Sequence, residues 1–142
     1  MITVTCNGCF DGLHPGHLFY LGYCRAQGDR LVVGINSDEY IANKKRTKPY
    51  FDAKQRKEVL LALNIAEDVI VFDEPNPNEF IRKVHPQVHC TGEEYGYECA
   101  ESVICNELGI KLVLVPRTAI WSTGSLPLIG MKWVADFMNS GK

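Results

Sequence analysis

The sequence predicts a doubly wound α/β fold, a mostly parallel five-stranded sheet with helices on both faces. Three observations predict it. Five short runs rich in β-branched and other apolar residues recur along the chain. Segments with apolar residues at helical spacing separate them. The length, 142 residues, suits one domain with a proper core and is too short for two ordinary ones. Strands alternating with helices give βαβ units, and so a parallel sheet covered on both sides.

The elements follow in order. Ile2–Cys6 is a short β-branched run. His17–Gln27 carries apolar residues at helical spacing and stops at Gly28, a natural residue just past a helix end. Leu31–Ile35 is continuously apolar, as a buried parallel strand should be. Asp52–Leu63 reads as a helix, with Asp52 and Gln55 at capping-box spacing. Val69–Phe72 is the third strand and Asn78–Val84 a short helix. Val88–Thr91 is strand-like, Glu98–Leu108 is helical up to Gly109, and Lys111–Val115 is the fifth strand. A last helix is expected over Met131–Asn139. The sequence shows no internal repeat, low-complexity tract or linker, so residues 1–142 are read as a single domain.

Composition excludes several classes. The net charge is −2, whereas a nucleic-acid-binding domain is expected to be basic. No run of about 18 apolar residues suggests a membrane span. The N-terminus lacks the basic start and apolar stretch of a signal peptide, so a cytoplasmic location is expected. Six cysteines without a secretion signal read as reduced thiols. Cys6 and Cys9 have C-x2-C spacing, but no second pair completes a zinc site.

In such sheets ligands bind outside the carboxyl ends of the strands. Chemistry is therefore expected in the loops Asn7–Gly16, Asn36–Thr47, Asp73–Pro77, Gly92–Tyr97 and Pro116–Gly124. The first holds His14 and His17, two of the chain's four histidines, at a spacing that brings both onto one helix face. A helix N-terminus with free N–H groups and partial positive charge is an anion site. Gly8 can sit where backbone must approach a ligand. The second loop holds Lys44-Lys45-Arg46-Thr47-Lys48, four cations in five positions. Such a cluster on the binding edge can hold polyphosphate. The last combines Arg117 with Ser122, Thr123 and backbone donors. P-loop and dinucleotide fingerprints are absent, as is any nucleophile elbow.

Gly8-Cys9-Phe10-Asp11-Gly12-Leu13-His14-Pro15-Gly16-His17 fits the G-x-F-D-x-x-H-x-G-H signature, so the chain resembles the cytidylyltransferase-like nucleotidyltransferases. Trp121-Ser122-Thr123 resembles their second signature, often I-S-T. The resemblance implies a Rossmann-like domain. It implies transfer of a nucleoside monophosphate from a nucleoside triphosphate to a phosphorylated acceptor, with release of pyrophosphate. It places His14 and His17 on the α-phosphate, and one of Lys44, Lys45 and Lys48 against its charge. Arg117, Ser122 and Thr123 would hold the outer phosphates. Gly8, Cys9, Phe10, Asp11 and Gly16 form the nucleotide-binding turn, although Asp11 could instead orient the loop. Gly92, Glu94 and Tyr95 line the base pocket. Arg56 either faces the acceptor phosphate or is an exposed helix arginine. The resemblance also implies Mg²⁺ bridging the phosphates, no metal ligand on the protein, and a homodimer.

Two subfamilies compete. Gly28-Asp29-Arg30-Leu31, Asn36-Ser37-Asp38 and Val71-Phe72-Asp73-Glu74 resemble the heptose-phosphate adenylyltransferases, which use ATP. Pro116-Arg117-Thr118 resembles the glycerol-3-phosphate cytidylyltransferases, and tilts the expectation toward CTP and a small sugar or polyol phosphate. Thr91-Gly92-Glu93-Glu94-Tyr95 departs from the K-G-G-D-Y of the heptose enzymes. A non-catalytic nucleotide sensor on the same fold, and a zinc or redox module around Cys6 and Cys9, are the expectations of other classes.

Overall fold

The structure is a computed structural model that describes residues 1–93, 96 and 99–116. Glu94, Tyr95, Arg117, Ser122, Thr123 and the helix expected over Met131–Asn139 lie outside these residues. The described elements run β1 (Thr3–Gly8), α1 (Pro15–Arg25), β2 (Arg30–Asn36), α2 (Asp38–Lys45), α3 (Ala53–Ala62), β3 (Asp68–Phe72), α4 (Asn78–Val84), β4 (Val88–Gly92), α5 (Ala100–Leu108) and β5 (Lys111–Val115).

The five strands form one parallel sheet in the order β3-β2-β1-β4-β5. Right-handed crossovers that step in one direction place their helices on one face, and a reversal of direction places them on the other. Leu21 and Cys24 of α1 and Leu60 of α3 accordingly pack with Leu31, Val33 and Ile35 of β2. Phe80 and Ile81 of α4 and Ile104 of α5 pack with Val32 on the opposite face. This alternation along β2 is why its run is continuously apolar. Gly34 is part of the fit, because a Cβ there would lie 2.8 Å from the Phe80 ring.

The winding direction reverses between β1 and β4. These two strands pair only at Val4 with Val88 and Thr5 with His89. Beyond that rung Cys6–Gly8 pair with β2, and Cys90–Gly92 pair with β5. The strands part there, and a crevice opens at their carboxyl ends.

The last shared rung is polar. Thr5 Oγ1 and His89 Nδ1 lie 2.7 Å apart, and His89 Nε2 is buried without a partner among the described residues. Burial lowers the His89 pKa from 6.5 to about 4. The unfolded chain takes up this proton near pH 6.5, and the folded chain resists it. Stability from this group is therefore complete above pH 6.5 and is lost as pH falls toward 4. Denaturant titration should show a loss of about 2 kcal/mol from this group between pH 7 and pH 5. The pair substitution Thr5→Val with His89→Leu should flatten that slope, and an unchanged slope would refute the assignment.

Helix α2 departs from expectation, because it occupies a stretch expected to be loop. Only Ile41 is buried, so α2 has no apolar stripe to betray it. Its signals are terminal. Ser37 caps Tyr40 N, Asp38 and Glu39 fill the first turn, and Lys44 and Lys45 fill the last. The remaining differences are shifts of one to two residues at element ends. The largest in consequence is α1, which starts at Pro15 rather than His17.

Candidate active site

The turn from β1 into α1 is built around its two histidines. His14 is the N-cap of α1, and its Nδ1 accepts from Gly16 N at 3.0 Å. His17, at the third helical position, accepts from His14 N through its own Nδ1 at 3.1 Å. The two imidazoles thus make a reciprocal capping box. Each Nδ1 accepts from a backbone N–H and carries no proton in this arrangement. In the neutral ring the proton then sits on Nε2. The ring centroids are 3.9 Å apart, so this is a pair of adjacent Nε2–H donors. Burial first, then the adjacent His14 ring, lower the His17 pKa to about 4, which keeps that ring neutral at physiological pH.

Free backbone N–H groups were expected to receive the anion at this helix start. They are already committed. Pro15 has none, Gly16 N serves His14, and His17 N and Leu18 N both donate to His14 O. The donors left for a ligand are the imidazoles.

The loop before them is held in an unusual shape. Phe10 adopts φ 49°, a costly left-handed conformation for a bulky residue. Its ring packs edge-on to His17 at 5.7 Å between centroids. Gly8 lines the cleft and also makes room for this ring, since a Cβ on Gly8 would meet Phe10 Cε2 at 2.9 Å. Asp11 takes Tyr50 N on one oxygen at 2.8 Å and Phe51 N on the other at 2.9 Å. Both oxygens hold the segment leading into α3, which is the loop-orienting role.

Arg56 was expected either on the acceptor phosphate or on an exposed helix face, and the structure shows neither. Its side chain is 0% exposed and paired with Asp38 at 2.7 Å. Its other donors reach Phe51 O at 3.0 Å, Cys9 O at 2.9 Å and Asn36 O at 2.8 Å. One buried cation joins the glycine-rich loop, the end of β2, the start of α2 and the approach to α3.

The basic run divides. Lys44 and Lys45, on the last turn of α2, line the cleft over the crevice. Arg46 ends the helix with φ 58° and the chain turns away. Lys48 then lines a separate depression with Asp38 and Asp52. The expected phosphate run therefore offers two lysines to the cleft. Tyr40 steadies this wall, receiving Lys44 Nζ at 3.3 Å and donating to Pro75 O at 3.4 Å. Ser37 is tied to Asp73 across the same rim.

The cleft has a volume of about 890 Å³. Of the expected residues it brings together Gly8, Cys9, Phe10, Asp11, His14, Gly16, His17, Lys44, Lys45 and Gly92. Sequence reasoning missed Tyr20, Asn36 and Glu101 on its walls. Asn36 accepts the Cys9 thiol at 3.4 Å, and the Tyr20 hydroxyl donates to Cys90 O at 3.3 Å across the crevice. Its position one turn after His17, on the same face, was the available signal for Tyr20. The six cysteines are free thiols, with Cys6 in the core beneath α1 and Cys9 in the cleft. Among the described residues no group of three His, Cys, Asp or Glu side chains could hold a metal ion. No helix among them is long and apolar enough to cross a membrane.

Known proteins resemble this chain in sequence and in fold. The bifunctional protein HldE of Nitrobacter hamburgensis is 41% identical over 125 residues, covering 84% of this chain and 25% of that protein. HldE of Azorhizobium caulinodans is 39% identical over 126 residues, covering 87% of this chain and 26% of that one. The chain thus spans about a quarter of the length of these curated relatives. Among solved structures, a lipopolysaccharide core biosynthesis protein from Thermoplasma volcanium superposes with a TM-score of 0.66 at 30% identity, covering 83% of this chain and 97% of that one. Pantothenate synthetase from Thermus thermophilus shares the fold, with a TM-score of 0.58 at 15% identity, over 83% of this chain and 56% of its own. The cytidylyltransferase-like family model matches residues 5–122, and the chain belongs to that family.

Proposed function

We propose that the cleft transfers an adenylyl group from ATP to the phosphate of a small sugar of the heptose-phosphate type, releasing pyrophosphate. The observation that carries the reading is the paired Nε2–H donors of His14 and His17 at the crevice between β1 and β4. An acceptor phosphate oxygen attacks the α-phosphorus in line. The new P–O bond forms as the bond to the β-phosphate oxygen breaks, and the electron pair leaves on pyrophosphate. The protein need form no covalent bond. It aligns the two phosphates and stabilises charge on the α-phosphate oxygens. His14 and His17 donate to those oxygens, and Lys44 and Lys45 offset their charge from the α2 wall. A Mg²⁺ ion entering with the nucleotide would supply further charge neutralisation. The donor set fits that arrangement, since neither Nε2–H presents a lone pair to a metal.

ATP and a heptose phosphate are preferred over CTP and glycerol 3-phosphate on two grounds. The curated relatives are HldE proteins, and three stretches of sequence resemble the heptose-phosphate adenylyltransferases. The arginine that favoured CTP, Arg117, lies outside the described residues. Pyrophosphate release, measured for ATP and CTP against a panel of sugar and polyol phosphates, tests the reading. ATP with a heptose phosphate should be the fastest pair. CTP with glycerol 3-phosphate as the fastest pair would move the assignment to the other subfamily. Saturable nucleotide binding without pyrophosphate release for any acceptor would make the protein a sensor. The homodimer belongs to the same proposal, and analytical ultracentrifugation reads it directly.

The lysines separate cleanly. Lys44→Ala and Lys45→Ala should each lower kcat/KM by about tenfold or more, as expected for charges facing a developing anion. Lys48→Ala should stay within about twofold, because an exposed charge in another depression contributes little.

A further inference from the structure

Asn36 ends β2 and lines the cleft. It is only 9% exposed, and the two ends of its amide differ. Oδ1 accepts the Cys9 thiol at 3.4 Å. Nδ2 has no partner among the described residues, yet it is not sealed from solvent. The space it meets is the cleft.

An amide can turn over, so its direction is set by its neighbours. Here the neighbours are held. Arg56 Nη1 donates to Cys9 O at 2.9 Å and to Asn36 O at 2.8 Å, which fixes the two backbones side by side. The thiol proton goes to Oδ1, and the two N–H bonds of Nδ2 are the end left for a ligand. A donor aimed before its ligand arrives costs no reorganisation at the moment of reaction.

Charge indicates which ligand group it meets. In-line attack brings an acceptor phosphate oxygen within bonding reach of the α-phosphorus, so the acceptor phosphate adjoins the histidines. The β4–α5 wall carries Glu101 and no cation among the described lining residues, and repels a phosphate. The α2 wall carries Lys44 and Lys45, and attracts one. Asn36 stands on the attractive side, just before α2 begins at Asp38. A neutral amide suits a nucleophile better than a third cation. It holds the phosphate without drawing off the charge that makes its oxygen reactive.

We propose that Asn36 is a further substrate-contacting residue, whose Nδ2 donates to the acceptor's phosphate, and that Cys9 is the positioning residue that turns the amide that way. The inference rests on the transfer reading of the cleft and names what receives the second phosphate.

The test is steady-state pyrophosphate release with nucleotide and acceptor varied in turn. The substrates are ATP with a heptose phosphate or CTP with glycerol 3-phosphate, whichever pair is faster. The proteins are the intact chain and its N36A, N36D, C9A and C9S variants, each with its Tm. N36A should raise the acceptor KM about tenfold or more, the range of one hydrogen bond to a charged group, and move the nucleotide KM by less than about twofold. N36D keeps an oxygen for the Cys9 thiol but puts a negative charge where the donor was, so its acceptor KM should rise further. C9A lets the amide turn and should raise the acceptor KM by a smaller factor. C9S keeps a donor for Oδ1 and should recover most of that loss. An acceptor KM at the parent value in both Asn36 variants overturns the proposal, whether or not Tm falls. So does a rise confined to the nucleotide KM. A C9S variant no better than C9A removes the positioning role of Cys9. Absence of pyrophosphate release from the intact chain with either pair would instead bring down the transfer reading itself, so the two failures are distinguishable.

Discussion

His14→Ala and His17→Ala should each lower kcat by about 10²- to 10³-fold, the usual cost of removing one donor aimed at developing oxyanion charge. The structure makes the experiment sharper than a simple deletion, because each ring does two jobs. Its Nδ1 takes a backbone N–H at the start of α1, and its ring lines the cleft. Alanine removes both, and loss of a cap alone costs about 1 kcal/mol. His14→Asn separates them. Asparagine is a preferred N-cap whose side-chain oxygen can take Gly16 N, but it does not place an Nε2–H donor in the cleft. Its Tm should match the parent while its turnover matches His14→Ala. Recovery of turnover with asparagine would show that the imidazole acts only as a cap.

The same geometry determines a pH response. His17 stays neutral until about pH 4. Its charged form would also put a proton on Nδ1, against the His14 N–H that it now accepts. Lowering the pH from 8 to 6 should therefore leave the donor function of His17 unchanged. A loss of kcat with a midpoint near 6.5 that disappears in a His17 variant would contradict the tautomer assignment.

Arg56→Met should be the most destabilising single substitution among the residues around the site, costing about 3 kcal/mol, because three carbonyls lose a buried donor while Asp38, 42% exposed, can turn to solvent. The guanidinium holds three carbonyl groups and the Asp38 carboxylate at 2.7 to 3.0 Å. Methionine fills the volume and leaves those acceptors without donors in the protein. At about 2–4 °C per kcal/mol for a domain of this size, Tm should fall by roughly 10 °C. Arg56→Lys keeps the charge but not the planar fork, so it should recover only part of the loss. The Arg56 side chain touches no solvent, so its contribution to activity runs through the loops it joins. A variant with unchanged Tm and raised acceptor KM would restore the acceptor-contact role that the burial argues against.

Much of the fold was legible because it rests on short-range patterns. Asn78–Val84 and Lys111–Val115 have the predicted bounds, and Asp52 and Gln55 form the capping box their spacing suggested. Helix α2 was not legible by periodicity, because it presents one buried residue and is held by its ends. The start of α1 was misplaced for a related reason. Apolar periodicity begins at His17, but the cap is His14, a residue type whose capping role no propensity rule announces. Arg56 was ambiguous because its burial depends on carbonyls 20 and 47 residues away in sequence.

Short stretches of the chain set the alternation of strands and helices, the loop that holds the two histidines, and the resemblance that implies the chemistry. These are local patterns, encoded within a few residues of one another. The tertiary structure alone decided which atoms are free to act. It divided the basic run between two depressions and brought Glu101 into the histidines' cleft. The approach of Glu101 to the histidines depends on where β1 and β4 part, and strand order is a long-range property that no short stretch of the chain specifies.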